Sequence, residues 1–124
     1  MTDPTLISDL ERATEGSREL SDRVLVALGW KHISTKSIHW WINAAGIECA
    51  PPDRPNPTVN LQDAVEMVPS IPGANSHGYD AAPDCVEAYV SRNSVPNGHW
   101  TCLGEAATPA LSLCIALILA AQEK

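Results

Sequence analysis

The stretch TPALSLCIALILAA, residues 108–121, decides the fold of this chain. A threonine at position 108 can cap the free backbone N–H groups at a helix start, and proline suits the next position because no N–H is needed there. The apolar residues that follow leave almost no polar face, so this helix must be covered nearly all round. It is shorter than the roughly 20 residues that cross a bilayer. We therefore expect a buried C-terminal helix and no membrane partner.

Length and charge limit what the chain can bind. Its 124 residues are the common size of one domain, which we assign to 1–124. Lysine and arginine number 8 against 15 aspartates and glutamates, for a net charge of −7. A protein that coats a nucleic acid polymer or an anionic membrane needs a basic surface. A small anionic ligand is compatible with this charge, because a helix N-terminus or a local group of arginines binds one regardless of the overall balance.

The first residues and the cysteines predict a cytoplasmic protein. Residues 1–9 contain no basic stretch followed by an apolar run, which is the pattern of a secretory signal. The four cysteines show no paired spacing, and reduced, mostly buried thiols are expected rather than disulfides. They are Cys49, Cys85, Cys102 and Cys114.

The rest of the chain predicts three further helices and two β-hairpins. The three helices are expected to begin at Asp3, Ser17 and Asn60. They are expected to end near Gly16, Gly29 and Pro69, respectively. Alternation with a period of two predicts hairpins around turns at residues 35–36 and 95–98, whereas proline and glycine make residues 50–58 and 70–83 irregular. The predicted fold class is α+β, an α-β-α sandwich with order ααββαββα. Its two hairpins form one antiparallel four-stranded sheet with helices packed on it.

The first hairpin places its two neighbouring tryptophans on opposite faces. Trp40 alternates in register with Ile42, so we expect it in the core. Trp41 shares its face with His39 and Asn43, a mixed surface suited to a pocket, an oligomer contact or the second covered face of a sandwich. Trp41 is therefore the better candidate of the two for stacking on a ligand.

Three stretches together resemble a known family. They are ATEGSREL (13–20), PTVNLQDAVEMVP (57–69) and AATPALSLCIAL (106–117), of which the last is the most distinctive. This pattern resembles the phage α-β-α sandwich domain, a family of small phage and prophage proteins. That family includes or closely neighbours the Thoeris anti-defence protein one group. The likeness spans most of the chain, although the two loops and the hairpin strands match only in general character.

The resemblance implies a function. Members of the group look like sequestering proteins, called sponges, which bind cyclic ADP-ribose isomers made by bacterial immune proteins with TIR domains. Some also bind cyclic oligonucleotides. It implies a non-catalytic protein without cofactor, acting as a homo-oligomer in the cytoplasm of an infected bacterial host. Glycocyclic ADP-ribose is the expected ligand. The alternatives are a phage structural or protein-interaction module with no small-molecule ligand, and a hydrolase of the same signal.

A cyclic ADP-ribose ligand carries an adenine face, ribose hydroxyls and a pyrophosphate, so its site needs a stacking ring and a phosphate-binding group. Because the chain has no phenylalanine, a tryptophan or tyrosine must stack. Free N–H groups at a helix start bind phosphate. The candidate ligand-binding residues are Trp41, Tyr79 and Trp100 for stacking, Arg92, Asn93 and Arg54 for phosphate, and Thr108 at the start of the last helix.

Each candidate has an ordinary structural alternative. Trp100 alternates with Cys102 and fits core packing, which we favour over stacking on a ligand. Tyr79 lies in a glycine-rich segment that suits either a ligand or a solvated loop tip, and Arg92 equally fits a solvated turn. The histidines and cysteines lack metal-ligand spacing, and no G-x-S-x-G, P-loop, G-x-G-x-x-G or H-E-x-x-H motif occurs. We expect no metal site and no catalysis.

Overall fold

A computed structural model describes residues 5–34, 39–43, 45–50, 54–71, 74, 76–81, 85–94 and 98–121. These residues contain four α-helices and six β-strands. The elements run, in chain order, α1 (Leu6–Arg12), α2 (Arg18–Ala27), β1 (Lys31–Ser34), β2 (His39–Ile42), β3 (Glu48–Cys49), α3 (Leu61–Glu66), a 3-10 helix (Val68–Ser70), β4 (Ser76–Ala81), β5 (Val86–Ser94), β6 (Gly98–Ala106) and α4 (Pro109–Ala121). Within the described residues, no helix has both the length and the apolar character to span a bilayer.

The last helix, α4, forms the centre of the core, as predicted. Every residue from position 110 to 118 is buried, and Leu111 and Leu117 are wholly inaccessible to solvent. Strands β5 and β6 pack along α4, and α1, α2 and α3 contact it too. An almost entirely apolar helix is stable only with such enclosure, since each fully buried leucine contributes about 1.5–3 kcal/mol by leaving water.

The strands form two three-stranded antiparallel sheets, in the orders β1-β2-β3 and β4-β5-β6. The α+β class is confirmed, whereas the predicted single four-stranded sheet and the order ααββαββα are wrong. Each predicted hairpin is present and has gained a third strand. The residues of both predicted hairpin turns, at 35–36 and 95–97, lie outside the described part of the chain.

The added strand β4 lies in the stretch that we predicted to be irregular. Glycine at position 78 disfavours a strand locally, but the Tyr89 ring of the neighbouring strand covers it. A Cβ on Gly78 would lie 2.8 Å from that ring. Packing between strands has therefore outweighed the local preference. The other added strand, β3, follows a turn in which the Asn43 side-chain oxygen accepts hydrogen bonds from the N–H groups of Ala45 and Ile47 at 2.9 and 3.0 Å.

The predicted helix caps at Ser17 and Asn60 are confirmed. The Ser17 hydroxyl accepts a hydrogen bond from the Leu20 N–H at 3.1 Å, and the Asn60 side chain accepts from the Gln62 N–H at 2.9 Å. Helix α2 is followed by Gly29 with a φ of 102°, as the predicted glycine stop requires. The first helix is shorter than predicted, because it ends at Arg12 rather than near Gly16. Its predicted start, at residues 3–4, falls outside the described residues.

Strict alternation gives the second sheet two distinct faces. Side chains such as Ala88 and Val90 are buried against α4, whereas Glu87, Tyr89 and Leu103 point outward and are exposed. In the described part of the chain, the outward face is exposed at these three residues, so the second helical layer that the predicted α-β-α sandwich requires is not found over them.

Candidate functional site

A cavity of about 290 Å³ opens at the N-terminus of α4. All three stretches that carry the family resemblance contribute to its wall. The lining residues are Glu15 and Gly16 from the first stretch, Thr58, Val59 and Leu61 from the second, and Thr108, Pro109 and Ala110 from the third. Residues far apart in the sequence thus meet at one surface depression.

At this cavity, the first turn of α4 has one backbone N–H without a hydrogen-bond partner among the described residues. The Thr108 hydroxyl accepts a hydrogen bond from the Leu111 N–H at 3.2 Å, and the Thr108 carbonyl accepts from the Ser112 N–H at 3.0 Å. Proline at position 109 has no N–H. The Ala110 N–H is therefore the first-turn donor without a partner among the described residues. Together with the helix dipole it gives the cavity a local positive character.

A buried polar network fixes the opposite wall. Thr58 is only 1% exposed although it lies in the proline-rich stretch. Its N–H donates to the Ser21 hydroxyl at 3.0 Å, and its own hydroxyl accepts from the Ser17 N–H at 3.1 Å. The Ser21 hydroxyl also bonds to the Asn56 side-chain oxygen. Because all of these groups have partners, this wall presents apolar atoms and peptide backbone to the cavity.

Gly16 is required by a close approach of two chain segments. A Cβ at this position would overlap the Thr58 carbonyl group. The backbone at Gly16, in the connection between α1 and α2, therefore packs directly against the backbone at Thr58 and forms part of the cavity wall. Any larger side chain would push these two walls apart.

The charged lining of the cavity is a single carboxylate. Glu15 is exposed at the rim, and none of the lining residues is basic. An anion in the cavity would be held by the helix start alone and would be repelled by Glu15. This balance favours a ligand that carries both a phosphate and hydroxyl or apolar groups over a small inorganic anion.

Of the predicted ligand-binding residues, Thr108 lines this cavity. Trp41 is on the first sheet, whereas Tyr79 and Arg92 are on the second. None of these three residues lines the cavity at α4. Trp100 is the register partner of Arg92, and Asn93 is the partner of His99, on the paired strands β5 and β6. The side chains of residues 92, 93 and 100 lie outside the described part.

Trp41 is a core residue, which agrees with the covered face of a sandwich among the alternatives considered for it. It is 4% exposed and is covered by two side chains. The His32 ring stacks on it at 4.6 Å between centroids, and the Arg54 guanidinium carbon lies 5.3 Å from the ring centroid. Both faces of this strand carry a tryptophan, so alternation alone does not show which face turns inward. The loop that carries Arg54 covers the Trp41 face of the strand, and this face is therefore buried.

Arg54 is held within the protein. Its Nε donates to the Asp22 carboxylate at 2.8 Å, and its Nη2 donates to the second oxygen at 3.2 Å. This bidentate pair on α2 and the contact with Trp41 use most of the guanidinium surface. Arg54 accordingly serves as a link between the loop, α2 and the first sheet.

Tyr79 lies on strand β4 instead of a loop. It is 50% exposed and is paired with Ala88. Its exposure agrees with either a ligand contact or a solvated ring. It does not line the cavity at α4.

The sequence-based list omitted most of the cavity lining. Gly16, Val59 and Ala110 carry no chemistry that marks them as binding residues, and Thr58 was assigned to a surface loop. The available signal was the set of three resembling stretches, whose joint position only the fold reveals.

Among the described residues, no group of three histidine, cysteine, aspartate or glutamate side chains is placed to hold a metal ion. The four cysteines are free thiols. Burial raises the pKa of the Cys114 thiol well above its ordinary value, so this sulfur stays protonated and unreactive. Cys102 is also buried.

Comparison with protein-family models, curated proteins and solved structures finds no match for this chain.

Proposed function

We propose that this protein binds a small anionic, nucleotide-derived signal of the cyclic ADP-ribose class and holds it without cleaving it. The observation that supports this function is the convergence of the three resembling stretches on the cavity at α4. Residues that only filled the core would not need to meet at an open surface depression. As the resemblance implies, the setting would be the cytoplasm of an infected bacterium, where the protein would remove an immune signal.

The cavity suits part of such a ligand. Its volume of about 290 Å³ is just below the roughly 300–1,000 Å³ of small-molecule sites. It would take the diphosphate and one ribose, with the base outside. The Ala110 N–H and the α4 dipole would meet the phosphate, while Val59, 56% exposed at the rim, offers apolar surface to a ribose or base.

The lining also favours binding over hydrolysis. Acid–base hydrolysis needs a positioned donor and acceptor of protons, and among the described lining residues Glu15 is the only one with a titratable side chain. A ligand held here would leave unchanged.

The deciding experiment measures binding of glycocyclic ADP-ribose by calorimetry, followed by heat denaturation and chromatography of the released molecule. We expect binding and release of intact ligand. No binding overturns the proposal, and an altered product would replace it with the hydrolase.

A matched pair of variants locates the site. Val59→Glu adds a carboxylate at the rim and should weaken binding by about tenfold or more, whereas Val59→Gln, of similar size and uncharged, should change it little. Equal effects of the two variants would place the ligand elsewhere.

A protein-interaction module is the second candidate, favoured by the exposed outward face of the second sheet. Tyr89 is 37% and Leu103 is 52% exposed on that face. If ligand binding fails, this surface becomes the leading explanation of the protein's role.

A further inference from the structure

Strand β6 presents a long and unprotected sheet edge. Its nine residues, Gly98–Ala106, pair with β5, and no described strand pairs with its other side. The register runs without a break from Val86 opposite Ala106 to Ser94 opposite Gly98, so the strand has no bulge. It contains no proline and no lysine. Bulges, prolines and lysines are the features that natural proteins use to stop edge strands from pairing with another chain.

The outward face of this sheet is organised in rows that cross all three strands. Side chains directly opposite one another share a face, so each row reads from β4 through β5 to β6. The rows are Ser76, Ser91 and Thr101, then Gly78, Tyr89 and Leu103, and then Asp80, Glu87 and Glu105. The first row is hydroxylic and its central Ser91 is buried, whereas the other two rows, one apolar and one acidic, include exposed side chains.

The apolar row is incomplete at the β6 edge. The Tyr89 ring leans over Gly78, towards β4 and away from the edge. No described strand lies beyond β6, and Leu103 remains 52% exposed. Another strand that continued the sheet at this edge would bury this leucine.

The acidic row determines how a second copy can approach. Asp80, Glu87 and Glu105 are all exposed, and the described outward side chains include no lysine or arginine. Two copies stacked face to face would bring these carboxylates together, which is unfavourable. Pairing at the edge avoids that repulsion.

We propose that β6 pairs antiparallel with β6 of a second copy about a two-fold axis at Leu103. In this register Leu103 lies opposite Leu103 of the second copy, and the apolar row continues across the interface. Glu105 lies opposite Thr101 of the second copy, so no two carboxylates are directly opposed. The result is one continuous six-stranded sheet with α4 of both copies on the same face.

The helices are compatible with this arrangement. Helix α1 contacts both β6 and α4, while Thr101, Leu103 and Glu105 stay exposed. The interface goes beyond the proposed ligand binding and does not depend on it.

The interface is tested by measuring the oligomeric state of the protein. Light scattering after size-exclusion chromatography gives this state at micromolar to near-millimolar concentrations. We expect the wild type to be a dimer. Leu103→Lys places two ammonium groups opposite each other and should raise the dimer dissociation constant by at least about tenfold. The matched control is Tyr79→Lys, equally exposed but on β4, which should remain dimeric. Circular dichroism and thermal unfolding should show both variants folded.

Three results would overturn the proposal. They are a wild type that stays monomeric throughout, a Leu103→Lys variant that dimerises as tightly as the wild type, or a Tyr79→Lys variant that alone becomes monomeric. If the wild type stays monomeric, the outward face would instead suit a partner of different chemistry.

Cysteine cross-linking tests the register. In a background with Cys49→Ser and Cys85→Ser, oxidised Leu103→Cys should form a covalent dimer, because position 103 faces itself. Thr101→Cys should not, because position 101 faces position 105. A covalent dimer from Thr101→Cys alone would show that the axis is not at Leu103.

Discussion

The Arg54 guanidinium lies over the Trp41 ring, with its central carbon 5.3 Å from the ring centroid, while two of its nitrogens bind the Asp22 carboxylate. A residue expected to bind phosphate is thus part of the packing between the proline-rich loop, α2 and the first sheet. The Arg54 side chain is 16% exposed and that of Asp22 is 30% exposed, so this ion pair is partly shielded from water.

Arg54→Lys should therefore lower the free energy of unfolding, by about 1 kcal/mol. Lysine keeps the charge but loses the bidentate geometry and the planar contact with the ring. Urea denaturation measures the change, and glycocyclic ADP-ribose binding should be unaffected. A variant of wild-type stability that fails to bind ligand would return Arg54 to the list of binding residues.

The Glu15 carboxylate at the cavity rim should weaken ligand binding, so its removal should strengthen it. Glu15→Gln removes the negative charge at the rim and should strengthen binding of glycocyclic ADP-ribose a few-fold at low salt. Glu19→Gln on α2, outside the lining, is the control with no expected effect. If Glu15→Gln weakens binding, the carboxylate contacts the ligand and the proposed orientation is wrong.

Two glycines should respond differently to replacement by alanine. A Cβ on Gly104 would overlap the Ser112 carbonyl oxygen and lie 2.7 Å from the Ile115 Cβ, so β6 would be forced away from α4. We expect a loss of about 3 kcal/mol or more. Gly46 has a φ of 87° and open space around it, and its replacement should cost only about 1 kcal/mol from backbone strain. Thermal unfolding of both variants checks this difference, and equal losses would contradict the close packing of β6 on α4.

The contact between α1 and α2 should depend on pH. Arg23 and Arg12 donate hydrogen bonds to Asp9, at 2.7 and 2.9 Å, and hold the pKa of its carboxyl below the ordinary 3.8. Because the unfolded chain binds this proton more readily, the stabilisation is present above about pH 4 and is lost as the pH falls through the lowered value.

Asp9→Asn should therefore be less stable than the wild type at neutral pH, and the difference should close in acid. High salt should narrow the difference at neutral pH, because the group is near solvent. Urea denaturation across the acid range measures both effects. A difference that stays constant down to low pH would show that the charge of Asp9 is not what stabilises this contact.

Thiol labelling reports on the core. Cys114 and Cys102 are buried, and burial raises the pKa of Cys114, whereas Cys49 and Cys85 are partly exposed. In the native protein, iodoacetamide should modify Cys49 and Cys85 first, and denaturant should expose the other two. Mass spectrometry of the peptides identifies the sites. Rapid native labelling of Cys114 would contradict the enclosure of α4.

The cap residues and the apolar helix were predictable because their determinants are local. A hydroxyl or amide before a helix satisfies N–H groups only two or three residues away, as at Ser17 and Asn60. The β5 and β6 strands were predictable for the same reason, since alternation is a property of neighbouring residues. Strand β4 was not, because Gly78 becomes acceptable only when Tyr89 lies beside it.

The amino-acid sequence by itself determined the α+β class, the capped helix α4 and the need to bury it on all sides. Only the tertiary structure decided that Trp41 faces the core, because both faces of its strand carry a tryptophan and the covering side chain, Arg54, is 13 positions away in the sequence. It also decided where residues 15–16, 58–61 and 108–110 meet. Spacing along a chain fixes neighbours within a turn or a strand, whereas a cavity depends on contacts between segments that the sequence does not order in space.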